Sequence, residues 1–332
     1  MKLLAILLVF SAVFVGVVHG LTTRAVCDTE LGCGAGCHHA CPFGFPCRSA
    51  ADCLSESCTG GYCDIGRAST SPGSASSAAT PQNQAWELPD LKDGLKSLNI
   101  VQEGYGQDNR AVVPDPSGGG KQVLKVSYPM GSYNPAGSIS GGTRFYAKPA
   151  DVSTATVLSL EYQVYFPLGF EFVKGGRLPG IYGGRTACYG GDNHNDCFST
   201  RYYWRKGGVG EIYVYVNSAD QVDAFCEVPP LSTCNGAYGN SIGRGAFSFK
   251  AGSWQSVVQR ITLNTPGKAD GRVQVFSNGQ EVIDFDKIVW RDAEDIKFEG
   301  IVFESFFGGA DASWATPKDQ TIYFRGLSMH WE

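Results

Sequence analysis

Beyond its first 20 residues the chain has no continuous apolar run, and a bilayer crossing needs about 20 such residues. No membrane-spanning helix is therefore expected in the mature protein, and a membrane anchor is the lesser reading of the first 20 residues. Amphipathic helical stretches are nearly absent; Leu88 to Leu98 is a weak candidate, so a helical bundle is excluded as well. Basic excess is lacking too. With 27 Lys and Arg against 32 Asp and Glu, the net charge is −5, and bulk charge gives no reason to expect nucleic acid. A polyanion would have to be met by a local basic cleft. No glycosylation acceptor of the Asn-x-Ser/Thr type is present; Asn264-Thr265 is followed by Pro266.

What is present is turn-rich and oxidised. Among 332 residues there are 43 glycines, 12% aromatics and 43% hydrophobic residues, which suits a β protein with a sizeable core. Residues 1–20 read as a secretory signal: Lys2 gives the positive start, Leu3 to Val18 the apolar run, and Val18-His19-Gly20 a small residue at the cut. The 12 cysteines fit the same oxidising destination, and the expected localisation is secreted, extracellular.

Eight of those cysteines crowd between Cys27 and Cys63 with few apolar residues among them. Residues 21–63 therefore read as a small disulfide-rich module held by covalent staples, with about 105 possible connectivities. Cys37-His38-His39-Ala40-Cys41 has ligand-type residues, but in a secreted chain with even cysteines the disulfide reading is preferred over zinc. Residues 64–85 are rich in Ser, Ala, Thr, Pro and Gly and read as a flexible linker.

Residues 86–332 read as one all-β domain. Leu158 to Phe166 alternates apolar and polar positions, as do Trp254 to Leu263 and Gly271 to Phe276. Asn278-Gly279 between two such runs predicts a tight hairpin. Ile301 to Phe307 and Thr321 to Leu327 are further strands. Many short strands separated by turns predict a two-sheet jelly-roll sandwich. Cys188 with Cys197, and Cys226 with Cys234, are close enough to staple loops at a mouth of that sandwich.

The chemistry concentrates between Lys174 and Tyr215. Gly207-Gly208-Val209-Gly210 separates two aromatic-rich runs and predicts a hairpin. With its turn centred near Gly208, Arg201 faces Tyr215 and Tyr203 faces Tyr213. Ser199, Arg201, Tyr203, Tyr213 and Tyr215 then share one sheet face. Such a face is either solvated or a sugar cleft, where rings stack on pyranoses and arginine grips a carboxylate through its fork.

Lys174-Gly-Gly-Arg177-Leu-Pro-Gly180, Phe198-Ser199-Thr-Arg201 followed by Trp204-Arg205, and Tyr213-Val-Tyr215 together resemble polysaccharide lyase family 14, which includes alginate and glucuronan lyases. Val123 to Pro129, Gly141-Gly142 and Phe306-Phe307-Gly308-Gly309 are similar to it also, and the likeness runs from about Leu95 to Trp331. It implies β-elimination on a uronate. Ser199 and Arg201 would neutralise the carboxylate, with Tyr203 and Lys174 as further substrate-binding residues. Tyr213 and Tyr215 would act as acid and base if nearby cations lower a phenol pKa from about 10. Arg177 stands where the family carries a lysine; it can hold a carboxylate but is a poor base. His194, in an Asp/Asn-rich loop, is another base candidate near the cleft, although a surface-loop position is the plainer reading. A glycoside hydrolase would need two cleft carboxylates, and within this block there is Glu211, at a turn edge.

The expectation is thus a secreted, monomeric lyase acting on an acidic polysaccharide. It needs no cofactor or metal and has no nucleic-acid or mature-form membrane partner. The alternative is a non-catalytic lectin on the same fold.

Overall fold

The computed structural model describes Cys58–Thr59, Tyr62–Cys63 and residues 84–332 except Asp192. The expected signal segment, most of the cysteine-rich module and the linker up to residue 83 lie outside the described residues. Strands β1 (Cys58–Thr59) and β2 (Tyr62–Cys63) pair antiparallel.

The remaining strands follow in chain order. They are β3 (Gln84–Leu88), β4 (Ile100–Tyr105), β5 (Arg110–Pro114), β6 (Gln122–Tyr128), β7 (Thr143–Ala147) and β8 (Val157–Tyr165). Next come β9 (Gly175–Leu178), β10 (Gly180–Gly184), β11 (Cys197–Arg205), β12 (Val209–Tyr215) and β13 (Asn240–Ser248). The last are β14 (Trp254–Thr262), β15 (Gly271–Ser277), β16 (Gln280–Ile288), β17 (Phe298–Phe307) and β18 (Gln320–Trp331). The weak helix at Leu88 to Leu98 is a correction: Leu88 ends β3, the last three residues form a 3₁₀ turn, and the residues between are bend, turn or irregular. No described helix is long and apolar enough to cross a membrane.

Two antiparallel sheets make the jelly-roll sandwich. The front sheet runs β13-β12-β11-β10-β17-β7-β4, with β9 also bridging β11 and β17. The back sheet runs β16-β15-β14-β8-β18-β6-β5, with β3 on β18. Side chains alternate across each strand, so Phe198, Tyr202 and Trp204 of β11 enter the shared core with Ile212 and Val214 of β12. Leu158, Leu160, Tyr162 and Val164 of β8 meet them from the back sheet. Of the polar groups that enter this core, Thr200 bonds Gln259 and Tyr162 donates to the Pro179 carbonyl at 3.0 Å, whereas the Tyr202 hydroxyl has no hydrogen-bond partner among the described residues.

Local chemistry explains two turns. Asn278 (φ 50°) and Gly279 (φ 79°) both sit in the left-handed region, which fits a primed two-residue hairpin between β15 and β16. The glycines around Arg177 serve packing: a Cβ on Gly176 would stand 2.1 Å from the Trp204 ring, and one on Gly180 would stand 2.0 Å from the Thr200 carbonyl oxygen. That closeness lets β9 and β10 lie flat against β11.

Candidate active site

The outer face of the front sheet carries the cluster. In the β11–β12 hairpin Ser199 opposes Tyr215, Arg201 opposes Tyr213 and Tyr203 opposes Glu211. The turn centres on Gly207, one residue earlier than expected, and the pairing is shifted by two. Because side chains alternate with period 2, all five expected residues still share the face. The correction concerns Glu211, which is a strand residue opposite Tyr203 and fully buried. Tyr203 in turn opposes Arg177 of β9, and Arg177 opposes Phe306 of β17, giving a row across four strands.

Glu304 of β17 organises the floor of this face, and its side chain is 1% exposed. It accepts from Arg177 Nη1 and Arg201 Nε, both at 3.1 Å, and from Arg144 Nη1 at 3.5 Å. Burial would raise its pKa, but the three guanidinium groups outweigh that and hold the carboxyl below the usual range. Sequence reasoning missed Glu304, although one acid within Ile301-Val-Phe-Glu-Ser-Phe-Phe307 was a readable sign, since a charge in an apolar strand needs partners. Glu211 is the second such centre. It binds Arg205, accepts from Arg244 Nε at 2.6 Å and from Ser241 Oγ at 2.8 Å. Five arginines against two glutamates leave this face cationic on a chain of net charge −5. Both carboxylates are occupied by arginine, so neither stands free to serve as the acid of a hydrolase.

Arg177 is committed on two sides. Its Nε donates to the Tyr203 hydroxyl and its Nη1 to Glu304, while the rings of Tyr203, Tyr215 and Phe306 flank its guanidinium at 5.4, 5.7 and 4.9 Å. Burial pulls its pKa down, but Tyr203, Tyr215 and Glu304 outweigh that, so it stays charged. Tyr203 and Tyr213 stack at 4.7 Å with their planes 29° apart.

Access divides the expected residues. Arg177, Tyr203 and Tyr213 keep 16%, 6% and 8% of their surface exposed, whereas Ser199, Arg201 and Tyr215 have none. The loop stapled by Cys188–Cys197 meets Ser199 and Tyr215, and both cysteines cluster with Tyr203, Tyr213 and Tyr215. Ser199 Oγ is spent on the Cys188 carbonyl at 2.6 Å. The staple thus lies over the face instead of at a mouth; the second one, Cys226–Cys234, also forms. His194 of that loop is buried against Tyr215, ring centres 5.7 Å apart, and is not a surface histidine. Lys174 stands apart from the cluster, bonded to Ser313 and 5.8 Å from the Trp314 ring.

The ionisation of both expected tyrosines moves upward. Burial, reinforced by Tyr203, pushes Tyr213 to about 12 against the pull of Arg177 and Arg205. Tyr215 is likewise raised well above the ordinary phenol value, again chiefly by burial. The cations pull both phenols down but do not bring either below its ordinary value. Arg201 Nη2, Arg144 Nε and the hydroxyls of Tyr105 and Tyr215 have no hydrogen-bond partner among the described residues.

The loop staple makes a stability prediction. Replacing Cys188 and Cys197 together with Ser frees a loop whose ends are nine residues apart, which costs roughly 2–3 kcal/mol by chain entropy. A thermal midpoint unchanged from the parent would show that the staple adds nothing.

Comparison with known proteins gives a family match: the polysaccharide lyase 14 model matches residues 116–327. No curated protein sequence matches the chain. Among solved structures, the PL-14 alginate lyase from Aplysia kurodai is 29% identical, with a TM-score of 0.65 over 74% of this chain and 98% of its own. Alginate lyase vAL-1 from Chlorella virus is 24% identical, with a TM-score of 0.63 over 74% of this chain and 99% of its own. The endo-β-1,4-glucuronan lyase from the fungus Trichoderma reesei is 11% identical, with a TM-score of 0.50 over 74% of this chain and 95% of its own; like vAL-1, it speaks to the fold alone.

Proposed function

As this chain belongs to the polysaccharide lyase 14 family and is a polysaccharide lyase, we propose that it cleaves a uronic-acid polysaccharide of alginate or glucuronan type, by β-elimination, outside the cell. The observation that carries the reading is the arginine-rich outer face with two stacked, partly exposed phenols at its centre. A uronate C5 proton is weakly acidic, and its removal places charge on the adjoining carboxylate. Arg177, permanently cationic and partly exposed, neutralises that charge through the N–H groups not already given to Tyr203 and Glu304. Arg201, buried behind it, adds field without touching the sugar.

Tyr213 takes the C5 proton in its ionised form. Its ionisation lies near 12, so the active fraction grows tenfold per pH unit below that value. The expected profile of kcat/KM therefore climbs with a slope near 1 between about pH 7 and pH 10. A flat profile over that range would remove Tyr213 from the proton transfer.

The deciding assay incubates the purified protein with alginate and with glucuronan and follows ultraviolet absorbance of the new C4–C5 double bond. Absorbance that grows on one polymer names the substrate. Retention of both polymers without any absorbance would instead favour the lectin.

A further inference from the structure

Elimination has two proton steps, removal at C5 and delivery to the leaving O4, and two tyrosines on this face, Tyr203 and Tyr213, keep 6% and 8% of their surface exposed. Tyr203 differs from Tyr213 in how its oxygen is held. It accepts from Arg177 Nε, and Arg177 is its hydrogen-bond partner among the described residues. Arginine has no acceptor, so the phenolic proton of Tyr203 cannot return toward Arg177 and is left for another acceptor. Arg177 in turn is anchored by Glu304, which is itself fixed by Arg201 and Arg144. The arrangement is a chain, Glu304 to Arg177 to Tyr203, with the hydroxyl at its open end. Arg205 lies over the Tyr203 ring at 4.9 Å, on the same side of the hairpin.

We propose that Tyr203 is the catalytic acid of the elimination and that Glu304 positions it through Arg177. The inference rests on the lyase reading above and deepens it. Tyr213 takes the C5 proton, and the C5–H electron pair becomes the C4–C5 double bond. The C4–O4 bond breaks, its pair goes to O4, and O4 takes the proton from Tyr203. The Tyr203 phenolate then faces Arg177 Nε–H, and the bond already made from the guanidinium gains an ionised acceptor once the proton is delivered. Solvent carries the proton from Tyr213 back to Tyr203, so nothing is consumed.

The test uses a leaving group that needs no acid. On polymer, Tyr203→Phe is expected to lower kcat by at least about 100-fold while KM stays within about threefold. On a uronoside carrying 4-nitrophenoxide at C4, that deficit shrinks by at least about tenfold, because the phenoxide departs without a proton. The deficit of Tyr213→Phe does not shrink. Glu304→Gln shows a smaller loss with the same partial recovery, whereas a merely structural role would lower both substrates equally. Equal losses of Tyr203→Phe on both substrates, or no loss on polymer, overturn the proposal alone. Absence of unsaturated product from the wild type on every polymer overturns the lyase reading and this proposal with it.

Discussion

Replacing Tyr213 with Phe is expected to lower turnover by roughly 100- to 10,000-fold, the range for losing a general base, and to leave KM within a few-fold. The change is confined to one oxygen. Phe keeps the ring that stacks on Tyr203 at 4.7 Å and lies tilted against Tyr215 at 5.4 Å, so packing of the face is preserved. The Arg177 and Arg205 guanidinium groups that draw on Tyr213 keep their own carboxylates, Glu304 and Glu211. A thermal midpoint equal to that of the parent, with the alkaline rise in kcat/KM gone, would establish the loss as chemical. A variant retaining most of its rate would transfer the base role elsewhere. Tyr215 would be a poor heir, because it is wholly covered and burial holds its ionisation well above the ordinary phenol value.

The largest stability loss is expected from Glu304→Leu. Leucine fits the volume but leaves Arg201, which is 0% exposed, without its acid. Removing one partner of a buried ion pair costs about 3–5 kcal/mol. For a domain of this size each kcal/mol moves the midpoint by about 2–4 °C, so a fall of roughly 6–20 °C is expected. The pH dependence has a definite sign. The Glu304 pKa in the folded state lies below the usual carboxylate value, so its stabilisation is fully present above that usual value and is lost as pH falls through the folded one. The gap in midpoint between wild type and variant should be full at neutral pH and should narrow in strong acid. A gap under about 1 kcal/mol at neutral pH would mean that the arginines find solvent when the acid is removed.

How much of this was legible follows from the range of the interactions involved. The β11–β12 face was readable because alternation is a local property, and an error of one residue in the turn centre moves the pairing by two and leaves every side chain on its face. The Asn278–Gly279 hairpin was readable for the same reason. Glu304 was not assigned, because it meets Arg201 across 103 residues of sequence and Arg177 across 127. Its partners are a matter of strand order: β17 lies between β10 and β7 in the sheet but late in the chain. Burial of Ser199 and Tyr215 was equally hidden, since the stapled loop that meets them is irregular and has no periodicity to read. The departure at Arg177 was visible as a residue, but its meaning was not. A lysine has no fork with which to hold Tyr203 and Glu304 at once, and the second of those residues lies far along the chain.

The turn of Lys206–Gly208, with Gly207 and Gly208 in the left-handed region, joins the two strands that carry most of the reactive groups. Its length therefore has a consequence for descent with modification. Gaining or losing two residues there would slide Tyr213 past Arg201 yet keep it on the outer face, whereas gaining or losing one would send Tyr213 and Tyr215 into the oily interior and bring Ile212 and Val214 out. Lineages carrying this site can change that loop in even steps far more readily than in odd ones.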